Sequence, residues 1–254
     1  MEISATYIFR FLVIPIGILI AYFSYEIFAL TKGGSKGWRY IAIAGLCFSA
    51  WAICQIVFTL LFDSALVRMM LGTFLFGLIV ILAPLGPIIL VNDMKLSPRA
   101  RLFTVKRYLL YIAPISALVI AYNVIDPSTI FIAGALSITH LLVGFALLPM
   151  AYATFFLWRE SKSLSWAFIF AFVSILSISV FMGVYSGSCC GTDGAYYGNP
   201  VCSSYDTDYV SSLPVSCSAG VLAVTLKWNY LQIIAVLSGL VGFYLLWNPM
   251  RSKS

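Results

Sequence analysis

The side chains that could carry out chemistry in this sequence are few, and the single histidine is the first to consider. His140 lies in a continuously apolar segment, where an ionisable side chain is costly and is therefore a candidate functional residue. A haem held by two histidines needs a second histidine, and a proton relay needs further carboxylates or histidines nearby, which this segment lacks. We therefore expect a neutral His140 that is hydrogen-bonded to a neighbouring hydroxyl or carbonyl group.

Three other polar side chains fall within apolar segments. Glu26 is about one turn from the end of the first segment, where its carboxylate can extend towards water or pair with Lys32 or Arg39. Gln55 and Asn123 are expected to hydrogen-bond between helices, with about 1 kcal/mol or less from each. These positions favour structural roles over a reaction centre.

Two prolines three residues apart occur in the third apolar segment. Pro84 and Pro87 each remove a backbone donor, so they predict a kink or break near one end of that helix. Such breaks line substrate sites in some transporters, and they also occur as packing features. The sequence leaves both interpretations open.

Four cysteines fall in the one long polar stretch, residues 186–227. A bond between the adjacent Cys189 and Cys190 would strain the backbone, so we expect two disulfides that join each of them to Cys202 or Cys217. The Gly, Ser and Asp content predicts a stapled cap, and the tyrosines leave a binding loop open as an alternative. Zinc is not expected there, because four thiols on an oxidising side usually form disulfides.

The elements that position these residues are predicted to be membrane-spanning helices. The 254 residues are 62% hydrophobic and 9% charged, against about half and about a quarter in an ordinary soluble domain. A bilayer core about 30 Å thick needs about 20 apolar residues in a helix. The sequence therefore predicts an all-α integral membrane protein, a seven-transmembrane-helix bundle that forms one domain over residues 1–254. The predicted helices are 8–30, 40–62, 66–91, 108–125, 129–158, 164–185 and 228–247.

The basic residues predict the orientation of this bundle. The segments 31–39, 92–107 and 159–163 and the C-terminal tail together hold twelve of the fifteen lysines and arginines. Short loops rich in these residues stay in the cytoplasm. We therefore expect a multi-pass protein of the cell membrane with its N-terminus outside and its C-terminus in the cytoplasm. The disulfide-stapled loop 186–227, between helices six and seven, is then extracytoplasmic.

The sequence contains none of the common catalytic motifs and no paired carboxylates within its helices. No catalytic residue, cofactor, metal or nucleic acid is expected. The composition favours a non-catalytic interaction or accessory subunit of a membrane complex, with the lipid bilayer and other membrane proteins as partners. One alternative is a seven-helix receptor or sensor that acts through a separate cytoplasmic partner. Another is a transporter or channel for a neutral solute that uses His140 and the prolines of the third helix.

Overall fold

The structure, a computed structural model, describes residues 5–60, 65–94, 96, 99, 102, 104–125, 133–189 and 215–252. Side chains are described within residues 11–54, 56–57, 75, 77–94, 96, 99, 102, 104–118, 144–179 and 231–252. Over these ranges the chain forms seven α-helices and no strand. The helices are α1 (Ala5–Leu30), α2 (Gly37–Leu60), α3 (Ala65–Asp93), α4 (Val105–Ile125), α5 (Ala133–Ser161), α6 (Leu164–Cys189) and α7 (Val215–Arg251).

Each predicted helix overlaps one observed helix, and the last one differs most. The prediction began it at residue 228, whereas α7 begins at Val215 and is 37 residues long. At 1.5 Å per residue it measures about 55 Å, much more than the roughly 30 Å of a bilayer core. Residues 215–227 of the predicted loop are therefore helical. Hydropathy marks only the apolar part of a helix, and a helix can continue into more polar surroundings.

Six helices form a closed ring in the order α1, α2, α3, α5, α6, α7, in which α7 packs back against α1. The remaining helix, α4, lies outside this ring and contacts α3 and α5. Its position leaves much of its described surface open, including Leu109, Leu110 and Leu118. The bundle is therefore a six-helix ring with one peripheral helix.

One end of the bundle carries the segments 31–36, 94–104 and 162–163 and the end of α7, and we call it the basic end. Contacts between these segments bring them together: Ser35 Oγ donates to Asp93 Oδ2 at 2.6 Å, and the rings of Trp38 and Trp166 lie 6.0 Å apart. The apolar core described in the structure extends from this end into the middle of the helices, as far as Val13 on α1 and Ala52 on α2. The described basic side chains here are Lys32, Lys36, Arg39, Arg99, Lys106, Arg107, Arg159, Lys162 and Arg251.

Glycines allow the first three helices to approach closely. A Cβ added at Gly45 would lie 2.8 Å from the carbonyl oxygen of Gly17, and one added at Gly37 would lie 2.6 Å from that of Gly86. These contacts are with backbone atoms, so any larger residue would force the helices apart. Small residues at helix crossings are typical of membrane bundles, because they allow close van der Waals packing.

Three helices contain a stretch long and apolar enough to cross a bilayer, namely Phe11–Leu30, Gly37–Cys54 and Leu231–Arg251. Two further apolar stretches are shorter, Gly77–Asp93 and Leu164–Ser179. Only described residues enter this count. Together with the all-helical architecture, these stretches support the predicted association with a membrane.

Candidate interaction sites at the basic end

The polar residues predicted from the sequence lie on four different helices. Glu26 is on α1, Gln55 on α2, Asn123 on α4 and His140, the eighth residue of its helix, on α5. The side chains of the last three lie outside the described ones. Their hydrogen bonds therefore stay predictions, and Glu26 is the member of this set whose surroundings can be analysed.

The predicted disulfide loop lies largely outside the described residues. Cys189 is the last residue of α6, and Cys217 is the third residue of α7. Cys190 and Cys202 belong to the part of the chain that is not described. The two helices that flank the loop pack against each other, and the pairing of its cysteines stays a prediction.

Glu26 has a partner that the sequence did not suggest. The indole Nε1 of Trp247, on α7, donates to Glu26 Oε2 at 2.9 Å. Of the two expected cations, Arg39 lies instead over the ring of Phe28, with 4.3 Å between its Cζ and the ring centroid. The expected ion pair with Lys32 or Arg39 is not formed among the described contacts. Glu26 instead links the ends of two helices that are far apart in sequence.

An aromatic cluster surrounds this hydrogen bond. The ring of Trp247 lies 5.0 Å from Phe23, 5.9 Å from Tyr244 and 6.3 Å from Tyr22, and the guanidinium carbon of Arg251 lies 5.1 Å from it. Such pairs and cation–π contacts each contribute about 0.5–1.5 kcal/mol. Trp247 is therefore fixed from several sides, and the donor it presents to Glu26 is held in place.

The two prolines of α3 are fully buried, and the helix runs without interruption through both. Pro84 has no amide hydrogen, so the carbonyl of Val80 loses its usual donor four residues later. The hydroxyl of Tyr108 on α4 lies 3.0 Å from the carbonyl oxygens of Val80 and Ile81. Tyr108, itself fully buried, thus supplies the donor that the proline removes.

Two further tyrosine hydroxyls donate to backbone carbonyls next to α4. Tyr111 Oη lies 2.7 Å from the carbonyl oxygen of Phe145, on α5. Tyr152 on α5 donates to the carbonyl of Arg99, in the segment that leads into α4. Together with the hydroxyl of Tyr108, these two hydroxyls form the main described hydrogen bonds that attach α4, and the segment before it, to the helix ring.

An open cleft of about 430 Å³ lies at the basic end, between the α1–α2 turn and the end of α3. One wall follows from how α1 ends. Lys32 and Gly33 adopt positive φ angles, and the amide of Gly33 donates to the carbonyl of Phe28, so the chain turns sharply before α2. The residues that line the cleft are Gly33, Gly34, Lys36, Tyr40, Ile89 and Asp93.

The described residues offer little that resembles a reaction centre. No group of three His, Cys, Asp or Glu side chains among them could hold a metal ion. Cys47 and Cys54 are free thiols. The hydroxyl of Ser24 is the one fully buried side-chain polar atom in the described set that lacks a hydrogen-bond partner. Several of the polar groups here join one helix to another.

Sequence reasoning missed Tyr108, Trp247 and the Ser35–Asp93 pair. A signal for Tyr108 did exist, because a proline in a membrane helix frees a carbonyl that some donor must satisfy. The sequence does not say which donor does so.

No protein-family model, no curated protein and no solved structure matches this chain. The arguments about function therefore rest on the chain's own residues.

Proposed function

We propose that this chain is a non-catalytic integral membrane protein that acts by binding membrane-spanning helices of other proteins. The observation that carries the proposal is an exposed apolar surface on two neighbouring helices, which we call the α1–α7 face. On α1, the exposed residues that recur every three or four positions are Phe11, Pro15, Ile18, Tyr22, Tyr25 and Ala29, and Leu19 is exposed next to Ile18.

The neighbouring helix repeats this pattern, with Ile234, Leu237, Val241, Tyr244 and Asn248 exposed. A repeat of three and four residues presents a straight seam to a partner helix. Tyrosines are enriched at binding interfaces because they combine a large apolar ring with a polar group. Tyr22, Tyr25 and Tyr244 are 45%, 63% and 45% exposed, around the Glu26–Trp247 hydrogen bond. The fixed Trp247 beneath them makes this a preorganised surface.

The transporter hypothesis receives less support. It relied on a broken third helix, whereas α3 is continuous and Tyr108 donates to the carbonyl that Pro84 leaves without its amide donor. Two buried indole groups, those of Trp38 on α2 and Trp166 on α6, contact each other across the six-helix ring at its basic end. The receptor hypothesis needs a separate cytoplasmic partner, for which the described residues give no specific observation.

Site-specific photo-crosslinking in the native membrane tests partner binding. A photoreactive amino acid at Tyr25 is compared with one at Leu110, on the peripheral α4. The two positions are 63% and 68% exposed, and each is five residues from the end of its helix at the basic end. We expect a protein adduct of defined mass from Tyr25 and none from Leu110. Lipid adducts alone at both positions, or the same proteins at both, would contradict the proposal.

We also propose the full topology of seven membrane spans, with the basic end in the cytoplasm and the cysteine-rich segment outside. The number of basic residues at the basic end supports this orientation. In the test, Ser163→Cys places a thiol between α5 and α6. We expect an impermeant thiol reagent to label it only after permeabilisation, and to label the native outer cysteines of intact cells after mild reduction. Labelling of Ser163→Cys in intact cells would reverse the orientation.

A further inference from the structure

The cleft at the basic end lies beside the turn between two candidate membrane spans, where a bilayer that covers both spans would present its headgroups. One candidate span ends at Leu30 and the next begins at Gly37, so the turn that forms a wall of the cleft lies between them. Tyr40 lines the cleft, and tyrosines are enriched at this level of membrane proteins. Ile43 and Leu46 follow Tyr40 along α2, towards its apolar middle, and are 46% and 54% exposed.

The cleft has opposite charges on its lining. Lys36 belongs to the α1–α2 turn, and Asp93 is the last residue of α3. Ser35 Oγ donates to one oxygen of the Asp93 carboxylate at 2.6 Å and so holds it at the cleft. No ion pair between Lys36 and Asp93 is among the described contacts. A cation and an anion that share a cleft without bonding to each other suit a ligand that carries both charges.

We propose that this cleft binds the headgroup of a phospholipid that has a phosphate diester and a primary ammonium group, as in phosphatidylethanolamine. The ammonium of Lys36 pairs with the phosphate, and the carboxylate of Asp93 accepts hydrogen bonds from the primary ammonium. The acyl chains extend along the apolar surface of Ile43 and Leu46. The cleft volume, about 430 Å³, is within the roughly 300–1,000 Å³ typical of small-molecule sites.

This chemistry distinguishes three common headgroups. Phosphatidylcholine has the same charges, but its quaternary ammonium has no N–H to donate to Asp93. Phosphatidylglycerol has the phosphate and no cation, so it offers the Asp93 carboxylate no cationic partner. A surface that merely attracted anions through its lysines and arginines would prefer phosphatidylglycerol. The order of preference among the three lipids therefore distinguishes a specific headgroup site from general electrostatic attraction.

Native mass spectrometry of the full chain in mild detergent tests the proposal, with equal amounts of the three lipids carrying identical acyl chains. We expect phosphatidylethanolamine to be retained about tenfold more than phosphatidylcholine, since a charge-assisted hydrogen bond contributes about 1.5 kcal/mol or more. Asp93→Asn should abolish this preference, and Lys36→Gln should weaken retention of all three lipids. Lys162→Gln, which removes an exposed lysine elsewhere at the basic end, is the matched control and should leave the preference unchanged.

Three results would overturn the proposal. They are equal retention of phosphatidylethanolamine and phosphatidylcholine, stronger retention of phosphatidylglycerol than of either, and an unchanged preference in Asp93→Asn. Unfolding temperatures of all variants, measured in the same detergent, show whether a loss of binding reflects a loss of fold. The inference does not depend on protein partners, so the crosslinking experiment and this one can fail separately.

Discussion

Two corners of the basic end satisfy partly or fully buried polar groups in different ways. At the α1–α7 corner, a side chain on one helix bonds to a side chain on another, Glu26 to Trp247. At the α3–α4 corner, the hydroxyl of Tyr108 bonds to backbone carbonyls that lie one turn before Pro84. The first corner belongs to the helix ring, whereas the second attaches the peripheral helix to it. Loss of a polar contact should therefore loosen α4 more than it loosens the ring.

The largest effect is expected at the α3–α4 corner. Tyr108→Ala removes a fully buried aromatic ring together with its hydroxyl, and such truncations cost about 3–5 kcal/mol in unfolding free energy. Reversible unfolding in mixed micelles measures this cost. Tyr111→Ala removes a partly buried ring and another hydrogen bond of the same helix, and it should cost less. Equal costs for the two variants would mean that the Tyr108 corner holds α4 no more strongly than the Tyr111 contact does.

An intermediate effect is expected at the α1–α7 corner. Trp247→Phe keeps most of the ring packing but leaves the Glu26 carboxylate without its indole donor, for a cost of about 1–3 kcal/mol. Glu26→Gln keeps an acceptor oxygen for the indole and should cost less. The same unfolding measurement checks the order of the two variants. If Glu26→Gln costs as much as Trp247→Phe, the negative charge itself matters at this corner, and the hydrogen bond alone does not explain it.

The smallest effect is a coupling energy that tests why Tyr108 bonds where it does. Pro84→Ala returns an amide hydrogen to the carbonyl of Val80, so the hydroxyl of Tyr108 is no longer its only donor. Tyr108→Phe should therefore cost about 1 kcal/mol less in the Pro84→Ala background than in the native chain. A double-mutant cycle gives this difference and cancels the cavity left by the proline ring. Additive costs would show that the tyrosine and the proline act independently.

The helices could be predicted from the sequence more completely than their partners could. Continuous apolar segments predicted all seven helices, because backbone hydrogen bonds within a helix are local. The prediction began α7 at Trp228, thirteen residues after its actual start at Val215. The apolar stretch begins at Trp228, but the helix extends from there towards the N-terminus. From the sequence, Glu26 was expected to extend towards water or to pair with Lys32 or Arg39, whereas its described hydrogen bond is with the indole of Trp247.

What the amino-acid sequence determined by itself is local and compositional: apolar segments of membrane-spanning length, the prolines within them, and basic residues gathered in alternating loops. Only the tertiary structure decided that α4 lies outside the ring and that Trp247, 221 residues from Glu26 along the chain, bonds to it. It also brought Lys36 and Asp93 to the same cleft. The physical reason is that every apolar helix has many neighbours it could pack against. Close contacts such as Gly17 with Gly45, which depend on the whole set of helices, select among them.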